Sequence, residues 1–372
     1  MAKRSYNKKV AKQTAKAIRR APKWVVVLAI ILVIAIAGGY FVYDRYFKKK
    51  QDAVGELSFH FLMLGNGSSG DSIYIKAGEN DILIDAGSTK ASAQTIIEYV
   101  DEYVEDNKLE YVIATHQDED HIAGFIGLSN KEGIFDHYKV DTIIDFPKYN
   151  PKQNSTEITA LLQEYFDVRQ QEINDGATWY TALQCYNEEN GAKRVYNLAE
   201  SVNMEILYNY YYDHAHGDQN NYSVCVQFTH GEEKFLFTGD LEEAGESKLV
   251  EYNSLSKVQL FKAGHHGSAT SSNTVLLDVI DPEICVVSCA IGDKHDFPRQ
   301  EFINRIFAYT LNVYVTTMAN DEYTNGADFI AMNGNIVVTS SAENGITVSC
   351  SNNSTLLKDT LWFSENRVMP TV

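Results

Sequence analysis

Residues 111–121 read Tyr-Val-Ile-Ala-Thr-His-Gln-Asp-Glu-Asp-His, and this stretch decides the fold. Tyr111-Val112-Ile113-Ala114 is a short apolar run, the pattern of a buried strand. The loop after it carries four potential metal ligands: His116, Asp118, Asp120 and His121. A loop leaving a strand end can turn such side chains inward together. Imidazole and carboxylate suit a divalent transition metal, and four ligands are enough to begin two sites. The plainer reading is a solvated acidic loop with two incidental histidines, since acidic side chains usually face solvent.

Two later segments supply what the loop lacks. Phe235-Leu236-Phe237-Thr238-Gly239-Asp240 is an apolar strand ending in Gly and a carboxylate. Val258 to Ala263 is another, ending in Gly264-His265-His266-Gly267-Ser268. Three strands that each end in ligand chemistry fit one pocket at one edge of a sheet. There Asp240 would bridge two cations. His116 and Asp118 would hold one, and Asp120, His121 and either His265 or His266 the other. Two divalent cations lower the pKa of a shared water and neutralise charge on attacking and leaving oxygens. Asp120 and His295 are the candidate catalytic groups, His295 as general acid or as a contact to the scissile oxygen. Lys262, Ser268 and Asn221 are candidate substrate contacts, with an ordinary exposed charge the alternative for Lys262. The oxygen-rich ligand set admits Mn²⁺ as readily as Zn²⁺.

As a set, these blocks resemble the metallo-β-lactamase superfamily, and within it the ComEC-like branch of competence-protein hydrolase domains. Asp71-Ser72-Ile73-Tyr74-Ile75 resembles the opening block, after a Gly67-Ser68-Ser69-Gly70 turn longer than usual. Ile84-Asp85-Ala86-Gly87-Ser88 is similar to the first motif, and the His116 to His121 loop to the metal motif, with Asp118 where many relatives have His. Asn220-Asn221-Tyr222-Ser223 stands where many members have a third His. Thr238-Gly239-Asp240, Gly264 to Ser268 and His295-Asp296-Phe297-Pro298 resemble the remaining blocks. The resemblance covers about residues 57–340. It implies an α+β, metallo-β-lactamase-like αββα sandwich, a centre of two divalent metal ions and phosphodiester hydrolysis, DNA being one such substrate. Nothing reads as the multi-span channel of full-length ComEC, so a lone hydrolase domain on a single anchor is expected.

The N-terminus has a separate character. Residues 1–23 carry nine Lys/Arg and no acid, a basic cytoplasmic tail. Trp24 to Tyr43 is twenty residues without a charge, long enough at about 1.5 Å per residue to span a bilayer core of about 30 Å. Trp24, Tyr40 and Tyr43 fall where interfacial aromatics belong. A cleaved signal peptide competes with this transmembrane anchor, but its apolar region is normally shorter. The excess of positive charge before the span places the N-terminus in the cytoplasm, with the hydrolase domain outside the cell membrane. Residues 44–56 form a charged linker, 57–350 the hydrolase domain and 351–372 a peripheral tail.

Thirteen of the 32 basic residues and one of the 50 acidic residues fall in the first 50 positions. Residues 51–372 thus hold 19 bases against 49 acids, about −30 net. Such a domain repels a long polyanion. Against the nuclease reading this favours a small or neutral substrate such as a lactone, amide or envelope ester. A membrane-tethered binding protein with an inactive site is a third reading. Five scattered cysteines form no disulfide framework.

The remaining elements follow from pattern. Leu57–Leu64, Val140–Phe146 and Ile284–Ser288 read as strands, and residues 71–75 and 81–85 as a hairpin over Gly78-Glu79-Asn80. Helices are expected over Ala91–Glu105, Thr156–Ile173 with Ser155 as cap, Glu242–Tyr252, and from Pro298 to Tyr309 with Pro298 as first residue. Phe329–Met332 and Ile336–Val338 read as strands joined at Asn333-Gly334. Tyr208, Tyr210, Tyr211 and Tyr212 either stack a base or sugar or cover a core edge.

Overall fold

The computed structural model describes residues 57–371 apart from Asn66, 153–154, 291–292 and 318–331. The basic tail, the Trp24–Tyr43 span, the linker and most of the Phe329–Met332 strand lie outside the described residues. Among the described residues no helix is long and apolar enough to cross a membrane.

In chain order the strands are β1 (Leu57–Phe61), β2 (Ile73–Ala77), β3 (Asn80–Ile84), β4 (Lys108–Ala114), β5 (Lys139–Asp145), β6 (Thr178–Thr181), β7 (Val195–Ala199), β8 (Val202–Ile206), β9 (Val226–His230), β10 (Glu233–Phe237), β11 (Leu260–Lys262), β12 (Ile284–Val287), β13 (Val313–Val315), β14 (Ile336–Ser341) and β15 (Gly345–Cys350). The helices are α1 (Ser92–Val100), α2 (Glu119–Ile126), α3 (Ile134–His137), α4 (Ala160–Asp175), α5 (Ala182–Asn187), α6 (Glu243–Tyr252), α7 (Thr274–Ile280), α8 (Gln300–Ile306) and α9 (Leu361–Asn366). Among the described residues the strands form an eight-stranded sheet, β15-β14-β1-β2-β3-β4-β5-β6, and a seven-stranded sheet, β13-β12-β11-β10-β9-β8-β7.

The two sheets pack face to face. Phe59 of β1 meets Phe228, Phe235 and Phe237 of the second sheet at centroid distances of 5.4, 4.8 and 5.2 Å. Strand β1 is buried on both faces, polar Ser58 and His60 included. His60 points away from the inter-sheet core, and its Nδ1 lies 2.8 Å from the hydroxyl of Tyr99 on α1. A strand covered on both sides requires an outer helical layer. Ile96, Ile97 and Val100 of α1 supply it with spacing that keeps one helix face inward.

Strands β3, β4 and β5 are mutually parallel, as are β10, β11, β12 and β13. Parallel strands leave their carboxyl ends at one edge, so the segments after Ala114, Phe237 and Lys262 emerge where side chains can converge. This topology turns three separate motifs into one site.

Some expectations are corrected. Helix α4 starts at Ala160, not Thr156, because Thr159 is the cap: its side chain accepts a hydrogen bond from the Leu162 amide. Pro298 does not open α8. The helix begins at Gln300 with Arg299 as cap, and Pro298 follows a cis peptide bond. After Asn333-Gly334, β14 pairs with β1 and β15. The C-terminal segment is not peripheral. Leu357, Trp362 and Phe363 are buried in a second apolar cluster with Phe302, Ile306 and Phe307 of the α8 region.

Candidate metal centre

Strand β4 ends at Ala114, buried Thr115 follows, and the chain turns over Gln117 and Asp118 into α2. Asp118 is the helix cap, with its carbonyl accepting from the amides of His121 and Ile122 at 3.0 and 3.1 Å. His116 and Asp118 therefore sit on the turn, and Asp120 and His121 on the first helical turn. Asp240 arrives from β10 after Gly239, whose φ of +54° suits glycine. His265 and His266 arrive from β11 with φ of +48° and +53°. Left-handed backbone at consecutive non-glycine residues is strained, and such strain concentrates at functional sites. Gly87 allows a close crossing. A Cβ there would lie 1.5 Å from the Asp120 carbonyl oxygen.

The Asp240 carboxylate lies at the meeting point. Its Oδ2 is 3.2 Å from His121 Nε2, 3.4 Å from His266 Nε2 and 3.8 Å from His265 Nε2. Asp120 Oδ2 is 3.2 Å from His266 Nε2. Ligand atoms of Asp120, His121, Asp240 and His266 all fall within 4.8 Å of one another. The His116 ring lies 4.2 Å from that of His121, and His116 Nε2 is 3.6 Å from Asp118 Oδ2. The two histidines of the pair separate in character, since His266 is buried and His265 half-buried beside Glu242 and Asn220.

Hydrogen bonds decide which ring nitrogen faces inward. His121 Nδ1–H donates to Asp85 Oδ2 at 2.8 Å, and His266 Nδ1–H to the Ser288 carbonyl at 2.9 Å. Thr115 Oγ1 donates to Asp85 at 2.7 Å and accepts from His116 Nδ1–H at 3.1 Å. Each imidazole is thereby held with Nδ1 turned outward and Nε2 directed at the centre, the nitrogen a metal would take. The Nε2 atoms of His116, His121 and His266 are buried without a hydrogen-bond partner. A buried polar atom left so costs about 1–3 kcal/mol. Three such nitrogens beside the Asp240 carboxylate fit divalent cations.

Other candidates stand differently. Lys262 is neither exposed nor placed to meet substrate. It is 1% exposed, paired with Asp71, and its Nζ is 3.7 Å from Asp240 Oδ1. Asn221 is fully buried, its Oδ1 accepting from the Gly245 amide at 2.9 Å, which fits a scaffold and not a substrate contact. Ser268 Oγ is 3.0 Å from Thr270 Oγ1 in the loop beyond the histidine pair. His295 is exposed and stacks on Phe297 at 5.4 Å, and Phe297 lies 5.8 Å from both His265 and His266. It stands one aromatic ring away from the centre. The tyrosine cluster covers a core edge. Tyr212 is buried, and Tyr210 is stacked against His214 at 3.7 Å and Tyr252 at 5.8 Å, which uses up its faces.

The sequence pattern of the metallo-beta-lactamase superfamily matches residues 65–177 and 213–290, half of the chain. The chain belongs to this superfamily. It is 33% identical over 103 residues to competence protein ComA of Neisseria gonorrhoeae, covering 27% of this chain and 15% of that protein. Identity to ComE operon protein 3 of Bacillus subtilis is 23% over 212 residues, 56% of this chain and 24% of the relative. Identity to exodeoxyribonuclease WalJ of Streptococcus pneumoniae is 28% over 106 residues, 28% of this chain and 39% of WalJ. The chain thus spans well under half the length of each relative. As a member of the metallo-β-lactamase superfamily it is a metal-dependent hydrolase, and its described residues form the superfamily's α/β sandwich.

Two buried acids of this metallo-β-lactamase site escaped the sequence reading. Asp85, at φ +58°, accepts from the Thr115 amide, the Thr115 hydroxyl and His121. Asp71 lies 3.3 Å from His266 Nδ1 and pairs with Lys262. Only their place within two of the motif blocks hinted at a role. Burial opposes every charge here, yet mutual attraction prevails. Burial raises the Asp240 carboxyl, but His121, His266 and His265 outweigh this and hold it well below the usual range. Burial likewise lowers His121 and His266, and Asp240 with Asp85 or Asp71 carries both well above an ordinary imidazole.

Proposed function

We propose that this chain is a membrane-anchored phosphodiesterase acting outside the cell membrane, hydrolysing a phosphodiester such as DNA at a centre of two divalent cations. The carrying observation is the convergence of Asp240 with His121 at 3.2 Å and His266 at 3.4 Å, beside the His116–Asp118 pair. Asp120, His121, Asp240 and His266 would hold one ion. His116, Asp118 and the shared Asp240 would hold the other, with His265, 3.8 Å from Asp240, as a further ligand. Bound there, Zn²⁺ or Mn²⁺ supplies Lewis acidity and a hydroxide source at neutral pH. The remaining work belongs to the protein. Asp85 and the Ser288 carbonyl fix imidazole orientation. Asp120 is the most open of the inner carboxylates, its side chain 36% exposed, and would take a proton from the attacking water. His295, on an exposed loop beyond Phe297, would protonate the leaving oxygen or bind the scissile one.

The names of the relatives, competence proteins and an exodeoxyribonuclease, support a nucleic-acid substrate. The anchor rests on Trp24 to Tyr43 and the basic residues before it. A second reading, hydrolysis of a small lactone, amide or envelope ester, is favoured by the net charge of about −30 on residues 51–372. The test is the purified chain with Mn²⁺ or Zn²⁺ against single-stranded DNA, a bis-aryl phosphodiester and a lactone panel. Cleavage of both phosphodiesters supports the proposal, and turnover of lactones alone replaces it with the second reading.

A further inference from the structure

One ammonium group lies inside the centre. Lys262, the last residue of β11, is 1% exposed. Lysine is almost never so buried unless paired. Its Nζ contacts Asp71 Oδ2, lies 3.7 Å from Asp240 Oδ1 and donates to the Gly239 carbonyl at 3.5 Å. Asp240 therefore faces two ways, with Oδ2 toward three imidazoles and Oδ1 toward the ammonium. Asp71 does the same, with Oδ2 on Lys262 and Oδ1 3.3 Å from His266 Nδ1. Both acids thus join the lysine to a ligand histidine.

We infer that Lys262 is a positioning residue of the metal centre, an internal monovalent cation that holds Asp71 and Asp240 in place before a divalent ion binds and leaves Asp240 Oδ2 for that ion. The inference rests on the metal-centre reading above. Asp71, Asp120 and Asp240 each lie within 3.4 Å of a His266 ring nitrogen, and Asp85 shares His121 with Asp71 and Asp240. Without a built-in positive charge the metal-free centre would bury uncompensated negative charge, which is strongly destabilising. The same ammonium repels an incoming divalent ion across a few ångströms of protein, so it also tempers metal affinity. Its removal has opposite effects on the two states, weakening the metal-free fold and tightening metal binding. A buried ion pair that only braced β11 would weaken both states equally.

The experiment is thermal unfolding of the full chain and its Lys262→Met and Lys262→Arg variants, chelator-stripped and at saturating MnCl₂, with Mn²⁺ affinity measured directly. The expected result is a lower midpoint for metal-free Lys262→Met, a Mn²⁺-induced rise larger than in the wild type, and Mn²⁺ binding about tenfold tighter or more. Lys262→Arg, which keeps the charge, should stay close to the wild type in its response to Mn²⁺. Equal losses of midpoint with and without Mn²⁺, at unchanged affinity, would overturn the inference while leaving the metal centre standing. A wild-type chain that binds neither Mn²⁺ nor Zn²⁺ would overturn both. Should Lys262→Met not fold when stripped, refolding with and without MnCl₂ decides the matter. Recovery in MnCl₂ alone supports the inference, and failure in both, repeated with Lys262→Gln, refutes it.

Discussion

Asp85 need touch no metal to matter. Its two oxygens accept from the Thr115 amide, the Thr115 hydroxyl and His121 Nδ1, so one side chain sets the direction of His121 directly and of His116 through Thr115. Asp85→Asn keeps the shape but cannot accept at both oxygens. Losses of about 10–100-fold in Mn²⁺ affinity are expected, read from metal titration, with the fold retained by circular dichroism. The imidazoles make a second prediction. In the metal-free protein Asp240, with Asp85 or Asp71, holds His121 and His266 protonated well above the ordinary imidazole range against the pull of burial. A cation must displace those protons. Metal uptake should therefore release protons and strengthen as pH rises, which calorimetry in buffers of different ionisation enthalpy measures. Uptake without proton release would contradict the protonated state of His121 and His266 in the metal-free protein.

Among the elements, the loop after the histidine pair has its own support. Glu246 of α6 is buried and accepts from the Ser272 amide at 2.5 Å and from Asn273 at 2.9 Å, while Arg305 of α8 donates to the carbonyls of Ala269, Ser271 and Ser272. Burial pushes the Glu246 carboxyl up to about 7, with the bonds from Asn273 and Ser272 offsetting only part of the rise. A raised carboxyl favours the folded state in its protonated form. That contribution is complete below the unfolded value near 4.5 and is lost as pH rises through about 7. Thermal stability should fall between about pH 5 and 8 by a margin that Glu246→Gln reduces, and parallel pH profiles of the two proteins would count against the assignment. At the C-terminus, Trp362 and Phe363 of α9 are both 4% exposed. Trp362→Ala should cost about 3–5 kcal/mol in denaturant unfolding. The sequence does not announce this helix as core, because its apolar residues are few and their partners on α8 lie some 55 positions away in the chain.

For the whole molecule, the legible part was the part written locally. Strand ends at Ala114, Phe237 and Lys262 carry their ligands within a few residues, so His116, Asp118, Asp120, His121, Asp240 and the 265–266 pair could be read as one centre. The different settings of His265 and His266 could not, since the orientation of His266 depends on the Ser288 carbonyl from a different strand end. Lys262 misled because a lysine beside a ligand motif suggests an exposed phosphate contact, whereas its partner Asp71 lies 191 positions earlier. Asn221 misled in the same way, its partner being a helix amide at Gly245. Charge also acts at this scale. With about −30 on residues 51–372, long-range repulsion should slow encounter with DNA, and screening should relieve it. Initial rates on single-stranded DNA are expected to rise from low salt to about 0.15 M, with a neutral ester unaffected.

The central claim is that Asp240 joins two cation sites into one hydrolytic centre, and metal analysis by mass spectrometry of the purified chain and of Asp240→Ala, each equilibrated with Mn²⁺ or Zn²⁺ and freed of excess, tests it most directly. The account predicts close to two ions per wild-type chain and loss of at least one in a folded Asp240→Ala, together with loss of hydrolysis. Equal metal content in the two proteins, or none in either, would contradict it.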